Sequence, residues 1–118
     1  MAATMKSAVL STANTNRDGT GTLVDVVTAP ANGCIIEEVT MAATSNTNAG
    51  MLRVFIFDGT NTRLEREVTV EAITPSGSVR AFQKSFRPTG LKLTSGQKLQ
   101  MSTHLAETFH VVATVIEL

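Results

Sequence analysis

The stretch "MLRVFIFDGTNTRLEREVTV", residues 51–70, decides the fold. Its first eight residues are β-branched, aromatic or otherwise apolar apart from Arg53 and the closing Asp58. Such residues suit a pleated, half-buried surface. "DGTN" follows, and Asp-Gly is the pair that tolerates the backbone of a tight hairpin turn. A second run, Arg63–Val70, then alternates charge with aliphatic side chains. Successive strand side chains point to opposite faces. Leu52, Val54 and Ile56 therefore share one face, and Arg53, Phe55 and Phe57 share the other. In the second run Leu64, Val68 and Val70 are expected together, opposite Arg63, Glu65, Glu67 and Thr69. The stretch predicts an antiparallel hairpin whose first strand is apolar on both sides.

The same punctuation recurs along the chain. "NRDGTG", "APANG", "SNTNAG", "TPSGS", "RPTG", "TSGQ" and "LAET" separate short runs rich in Val, Ile and Thr. Regular turn signals between short strands mark an all-β sandwich or barrel. Pro30, Pro75 and Pro88 all fall in these turns, where a missing backbone donor does no harm. The strands predicted are Ser7–Leu10, Thr20–Thr28, Ile35–Ala43, Met51–Asp58, Arg63–Val70, Val79–Arg87, Lys98–Thr103 and Phe109–Glu117. Both rows of the last run are largely apolar, which predicts a central strand. In "IIEEVTMAA" (35–43) the alternation fails unless one residue is extra, which predicts a β-bulge near Glu37–Glu38.

Composition agrees with one folded domain. The chain has 118 residues, 42% of them hydrophobic, with no Trp or Tyr. Ten basic and ten acidic residues cancel, and no basic stripe offers a nucleic-acid footprint. No run approaches the ~18 apolar residues of a membrane helix. The start, "MAATMKSAVLSTANTN", lacks the apolar core of a signal peptide. Cys34, the one cysteine, sits in "GCIIEEV" and reads as a small buried hydrophobe.

No catalytic constellation assembles. His104, Glu107 and His110 are the nearest approach to a zinc ligand set, but their spacing matches no strong motif. Surface or turn histidines are the plainer reading. Glu37–Glu38 and Glu65–Glu67 lack the aromatic platforms that accompany glycosidase carboxylates. Ser7, Ser76 and Ser95 lie in no nucleophile elbow. "NRDGTGT" is too polar for a phosphate loop, and Asp18 with Asp25 supplies too few ligands for calcium. The expectation is a protein that is not an enzyme, with no metal, no cofactor and no small-molecule substrate.

What remains is surface. Phe55 and Phe57 beside Arg53 are residue types enriched in interface cores. Two readings stand for that row, a partner-contact patch or a second buried face under a further layer of chain. "MAATMK" (1–6) precedes the first predicted strand and reads either as a frayed end or as an arm that orders against a partner. The division expected is an arm over 1–6 and a sandwich over 7–118. The partner-interface candidates are Met1, Met5, Lys6, Arg53, Phe55 and Phe57.

From "AGMLRVFIFDGTNTRL" through "VTVEAITPSGSVRAF" to "LTSGQKLQMSTHLAETFHVVATVIEL" the chain resembles a family of small tailed-bacteriophage proteins. The resemblance covers roughly residues 33 to 118, and "THLAETFHVVA" is its most specific piece. Members are head decoration, or cement, proteins: small jelly-roll sandwiches on the outside of a capsid lattice, often trimers at local threefold axes. The resemblance implies an eight-stranded jelly roll, made in the host bacterial cytoplasm and carried on the capsid exterior. Its partners would be the major capsid protein and copies of itself, as a homotrimer. The family assigns no functional residue to a position here. The alternatives are a tail, baseplate or fibre-associated virion protein and, further off, a carbohydrate-binding β-sandwich.

Overall fold

A computed structural model describes residues 2–118. It contains β1 (Ala2–Leu10), β2 (Val24–Thr28), β3 (Cys34–Ala43), β4 (Gly50–Phe57), β5 (Thr62–Val70), β6 (Gln83–Phe86), β7 (Lys92–Leu93), β8 (Lys98–Thr103) and β9 (Phe109–Glu117). They form two antiparallel sheets. The first runs β1-β9-β3-β6, with β7 also on β3, and the second runs β2-β8-β4-β5. β6 pairs with Val39–Ala42 of β3, and β7 with Cys34–Ile35. The two are therefore collinear parts of one edge strand, interrupted by residues 87–91. Counted that way there are eight strands, four to a sheet. The chain changes sheet at every connection except the β4–β5 hairpin. This is the jelly-roll plan.

The hairpin forms as its sequence predicts, with Gly50–Phe57 antiparallel to Thr62–Val70. At the turn, Asp58 Oδ1 accepts hydrogen bonds from the backbone N–H of Thr60 at 2.9 Å and of Asn61 at 2.8 Å. Gly59 takes a φ of 104°, open to glycine but strained for other residues. Those two amides hold the Asp58 carboxyl below its ordinary range.

The core lies between the sheets. Leu10, Ile36, Val39, Met41, Val111 and Val115 come from one side, and Val27, Leu52, Val54, Leu99 and Met101 from the other. Each such side chain stabilises the fold by about 1.5–3 kcal/mol when fully buried. Phe82 closes one flank by setting its ring edge-on to Phe109, with centroids 5.8 Å apart.

Two bulges adjust the alternation. In β3, Ile36 pairs with Val115 and Glu38 with Thr114, which leaves Glu37 unopposed. This is the predicted bulge, and it keeps Glu37 out of the core. In β5, Val54 pairs with Arg66 and Phe55 with Leu64, leaving Glu65 extra. That insertion flips the row. Leu64, expected beside Val68 and Val70, instead shares the outer face with Phe55.

Several expected boundaries move. The first strand begins at Ala2, so residues 2–6, read as an arm, form the outer part of β1 and pair with β9 from Ala2–Glu117 onward. The nine-residue β9 offers a free edge there, and no turn residue interrupts "AATMKSAVL". Thr20–Thr28 shrinks to Val24–Thr28 because residues 11–23 are held in a loop. Val79–Arg87 shrinks to Gln83–Phe86 because Ser76 Oγ accepts from the backbone of Ser78 and Val79, closing a turn. β7, two residues between turn signals, was too short to foresee.

Candidate functional site

The outer face of the second sheet is covered by the chain itself. Residues 11–23 form a strap organised by Asn14. Its backbone N–H donates to Thr103 O at 2.8 Å. Its side-chain Nδ2 donates to Thr20 O at 3.0 Å and Thr22 O at 2.9 Å, and Oδ1 accepts from Asn16 N at 3.0 Å. Gly21, at φ 83°, passes so close that a Cβ there would lie 2.7 Å from the Asn14 amide. Asp18 accepts from the Thr20 hydroxyl at 2.6 Å and from its N–H at 3.1 Å. The hydroxyl first, then the amide, lowers the Asp18 carboxyl from its usual range.

Beneath the strap lies Arg53, 1% exposed. Its Nε donates to Glu67 Oε2 at 2.8 Å, and its Nη1 donates to Asn14 O at 3.4 Å. Nη1 also lies 3.2 Å from His104 Nδ1. A guanidinium only donates, so that imidazole nitrogen is the acceptor. Arg17, on the strap, donates to the same Glu67 oxygen at 2.6 Å. Arg17 first, then Arg53, holds the Glu67 carboxyl below the usual carboxylate range. A buried guanidinium persists only where it is paired and hydrogen-bonded in this way. The strap's contacts bracket Phe55, touching the Arg53–Glu67 pair on one side and, through Gly19, Thr62 on the other. Phe55 is 0% exposed.

The expected contact row therefore divides. Arg53 and Phe55 are enclosed within the protomer and are not outward contacts; the strap is the further layer of chain that covers them. Phe57, the third residue of the row, is half-buried, and the Lys98 ammonium sits 5.9 Å from its ring centroid. Met1 lies outside the described residues. Lys6 lies on the row of β1 that faces the second sheet, and reaches Glu117 at 3.7 Å.

Met5 faces the other way, onto the outer face of the first sheet, and is 70% exposed. Val9, at 53%, and Val112, at 36%, share that face. The register sets Met5 beside Thr114, Ser7 beside Val112 and Val9 beside His110, with Thr40 and Ala42 of β3 following on. The sequence sets His110, Val112, Thr114 and Ile116 in one largely apolar row of a strand expected to be central. β9 is central, between β1 and β3, but only its Phe109–Val115 row faces the core. The apolar alternation was the signal; nothing local said which row would stay open.

The remaining candidates do not converge. His104 is engaged by Arg53, and Glu107 accepts from Asn48 N at 2.8 Å and Nδ2 at 3.0 Å. His110 lies on the opposite sheet's outer face. Among the described residues no three His, Cys, Asp or Glu side chains are grouped to hold a metal. Glu38 pairs with Arg87 at 3.5 Å, and Asp25 accepts from Gln100 at 2.8 Å and Lys98 at 3.1 Å. Cys34 is buried, and burial pushes its thiol pKa up. A shallow groove of about 430 Å³ flanks β6, lined by Ile73, Arg80 and the Lys84–Glu71 ion pair.

No protein-family model matches the sequence, and no characterised protein matches it. Solved structures do. A chain from the acidic stable capsid structure of Helicobacter pylori bacteriophage KHP30 superposes with a TM-score of 0.59 at 11% identity. The match covers 100% of this chain and 89% of that one. A chain of the cyanophage Pam1 capsid asymmetric unit gives 0.52 at 18% identity, covering 98% and 85%. A pentameric capsid protein from metagenomic phage sequences gives 0.48 at 14% identity, covering 96% and 61%, too loose a match to argue from. At these identities the similarity is one of fold, and the fold is the two-sheet jelly roll of chains found in bacteriophage capsid structures.

Proposed function

We propose that this chain is a structural virion protein that binds the outer surface of a bacteriophage capsid and stabilises the lattice. The observation that carries the reading is the end-to-end sharing of one jelly roll with chains from two phage capsid structures. The resemblance of residues 33 to 118 to head decoration proteins points the same way. The site inventory supports a binding role rather than catalysis, because its ionisable clusters serve to hold loops. In this reading the partners are the major capsid protein and further copies of this chain, joined as a trimer. Many modest contacts repeated over a lattice then act together through multivalency.

Binding to stripped capsids tests the reading. Purified chain, added to particles of its source phage from which this protein has been removed, is expected to co-sediment with them. It is also expected to raise the temperature at which they release DNA. Co-sedimentation with isolated tails and not with heads would reject the capsid assignment.

A further inference from the structure

The strap over the second sheet has no apolar anchor. Of residues 11–23 only Asn14 is buried, and the Arg17 side chain is 62% exposed. Polar contacts hold the segment in place: the hydrogen bonds of Asn14, the turn closed by Asp18 and Thr20, and the reach of Arg17 to Glu67. Segments with few buried apolar contacts open at a fraction of the free energy of global unfolding. The strap can therefore lift while the two sheets stay packed.

Glu67 ties the strap to what lies beneath it through one atom. Its Oε2 accepts from Arg17 Nε at 2.6 Å and from Arg53 Nε at 2.8 Å. Among the described residues it is the one carboxylate that meets Arg53, whose other contacts, Asn14 O and His104 Nδ1, are neutral acceptors. The neighbouring acids are engaged elsewhere. Asp18 on the strap is turned to Thr20, Glu65 on β5 is closed on Arg66, and Glu107 beyond β8 is bound to Asn48. β8 sets the uncharged Ser102 opposite Arg53. Protonating Glu67 thus leaves a guanidinium that is 1% exposed without a counterion. A buried charge stripped of its partner is strongly destabilising. Water is the nearest replacement, and the strap is the layer that keeps water out.

The direction of the pH response follows. Arg17, then Arg53, holds the Glu67 carboxyl below its ordinary range. Because Arg17 acts only when the strap is down, the closed form is favoured above the ordinary carboxylate value and is lost as pH falls through the lowered one. Asp18, lowered by the hydroxyl and then the amide of Thr20, works in the same direction.

We propose that residues 11–23 are an acid-released cover: protonation of Glu67 lifts the strap from Arg53 and Phe55 while the two sheets remain closed. Acid then uncovers a strip of the second sheet in which Phe55 stands between Leu64 of β5 and Gln100 of β8.

Amide hydrogen exchange followed by NMR, from about pH 7 to about pH 3 across the ordinary carboxylate range, tests it on the full chain. The amides of Asn14, Asn16 and Thr20 are expected to lose protection in step with the carboxyl carbon signal of Glu67, while the core amides of Val39 and Val111 keep theirs. Glu67→Gln is expected to show the open strap already at neutral pH. Arg53→Met removes the buried cation and is expected to keep the strap closed at the acid end. The core amides report the folding of each variant, and either variant decides if the other misfolds. A strap that stays protected once Glu67 has titrated overturns the proposal. So does a strap lost together with the core, a closed strap in Glu67→Gln, or an unchanged acid transition in Arg53→Met. None of these outcomes depends on what the chain binds, so the capsid reading stands or falls separately.

Discussion

Replacing Asn14 should loosen the strap that encloses Arg53 and Phe55. Asn14→Ala deletes three side-chain hydrogen bonds, to Thr20 O, Thr22 O and Asn16 N. A typical intramolecular hydrogen bond contributes about 0.5–1.5 kcal/mol net, so three give about 1.5–4.5 kcal/mol. Thr20 and Thr22 are exposed residues whose carbonyls water can reach, which favours the lower half, about 2 kcal/mol. Unfolding entropy near 2.1 cal/mol/K per residue then converts this to a fall in Tm of about 8 °C. Asn14→Asp is the sharper variant. It keeps the acceptor for Asn16 but turns a second oxygen toward the carbonyls of Thr20 and Thr22, so it should destabilise at least as much as alanine. Urea titration followed by circular dichroism gives both numbers. Either variant within about 0.5 kcal/mol of wild type, the scatter of ordinary surface substitutions, would refute the view of Asn14 as the organiser.

Other consequences follow from the same geometry. Phe109→Ala should cost about 3–5 kcal/mol in urea denaturation, because a fully buried ring and its edge contact with Phe82 are both lost; a cost under about 1 kcal/mol would mean the core is misdescribed. Cys34 should resist a thiol reagent such as DTNB in the native chain at neutral pH and react fully in urea, since it is both buried and shifted toward the thiol. Prompt native labelling would contradict its burial. Glu67 has a folded pKa below its unfolded one, so its contribution is present above the unfolded carboxylate value near 4.3 and is lost as pH falls through the folded value. Glu67→Gln should therefore flatten the acid limb of stability against pH, and an unchanged slope would show that the Arg17–Glu67–Arg53 contacts do not matter to folding.

The all-β sandwich was legible because its evidence is local, whereas the jelly-roll plan was implied by the family resemblance and not by the strand pattern. Asp58-Gly59 fixed a hairpin, and the failed alternation in "IIEEVTMAA" located the Glu37 bulge. What escaped was set by distant partners. Residues 2–6 carry no strong strand signal and are ordered by the free edge of β9. The Glu65 bulge falls in a run whose alternation looked regular, and it moved Leu64 to the other face. The covering of Arg53 and Phe55 depends on a strap some forty residues away in sequence, held by an asparagine whose role lies in three hydrogen bonds. The residue types on that strand were the right ones for a contact, but an arginine and an aromatic also suit a strap-covered ion pair. Conversely, the two apolar rows of β9 correctly predict a central strand, but alternation does not say whether anything lies upon the row around Val112.

Quantitative mass spectrometry of the purified source virion, with this chain counted against its most abundant protein, tests the central claim most directly. The account predicts a copy number comparable to that of the major capsid protein, as decoration of a whole shell requires. A count confined to the scale of a tail or a single vertex, or complete absence from the particle, would contradict it.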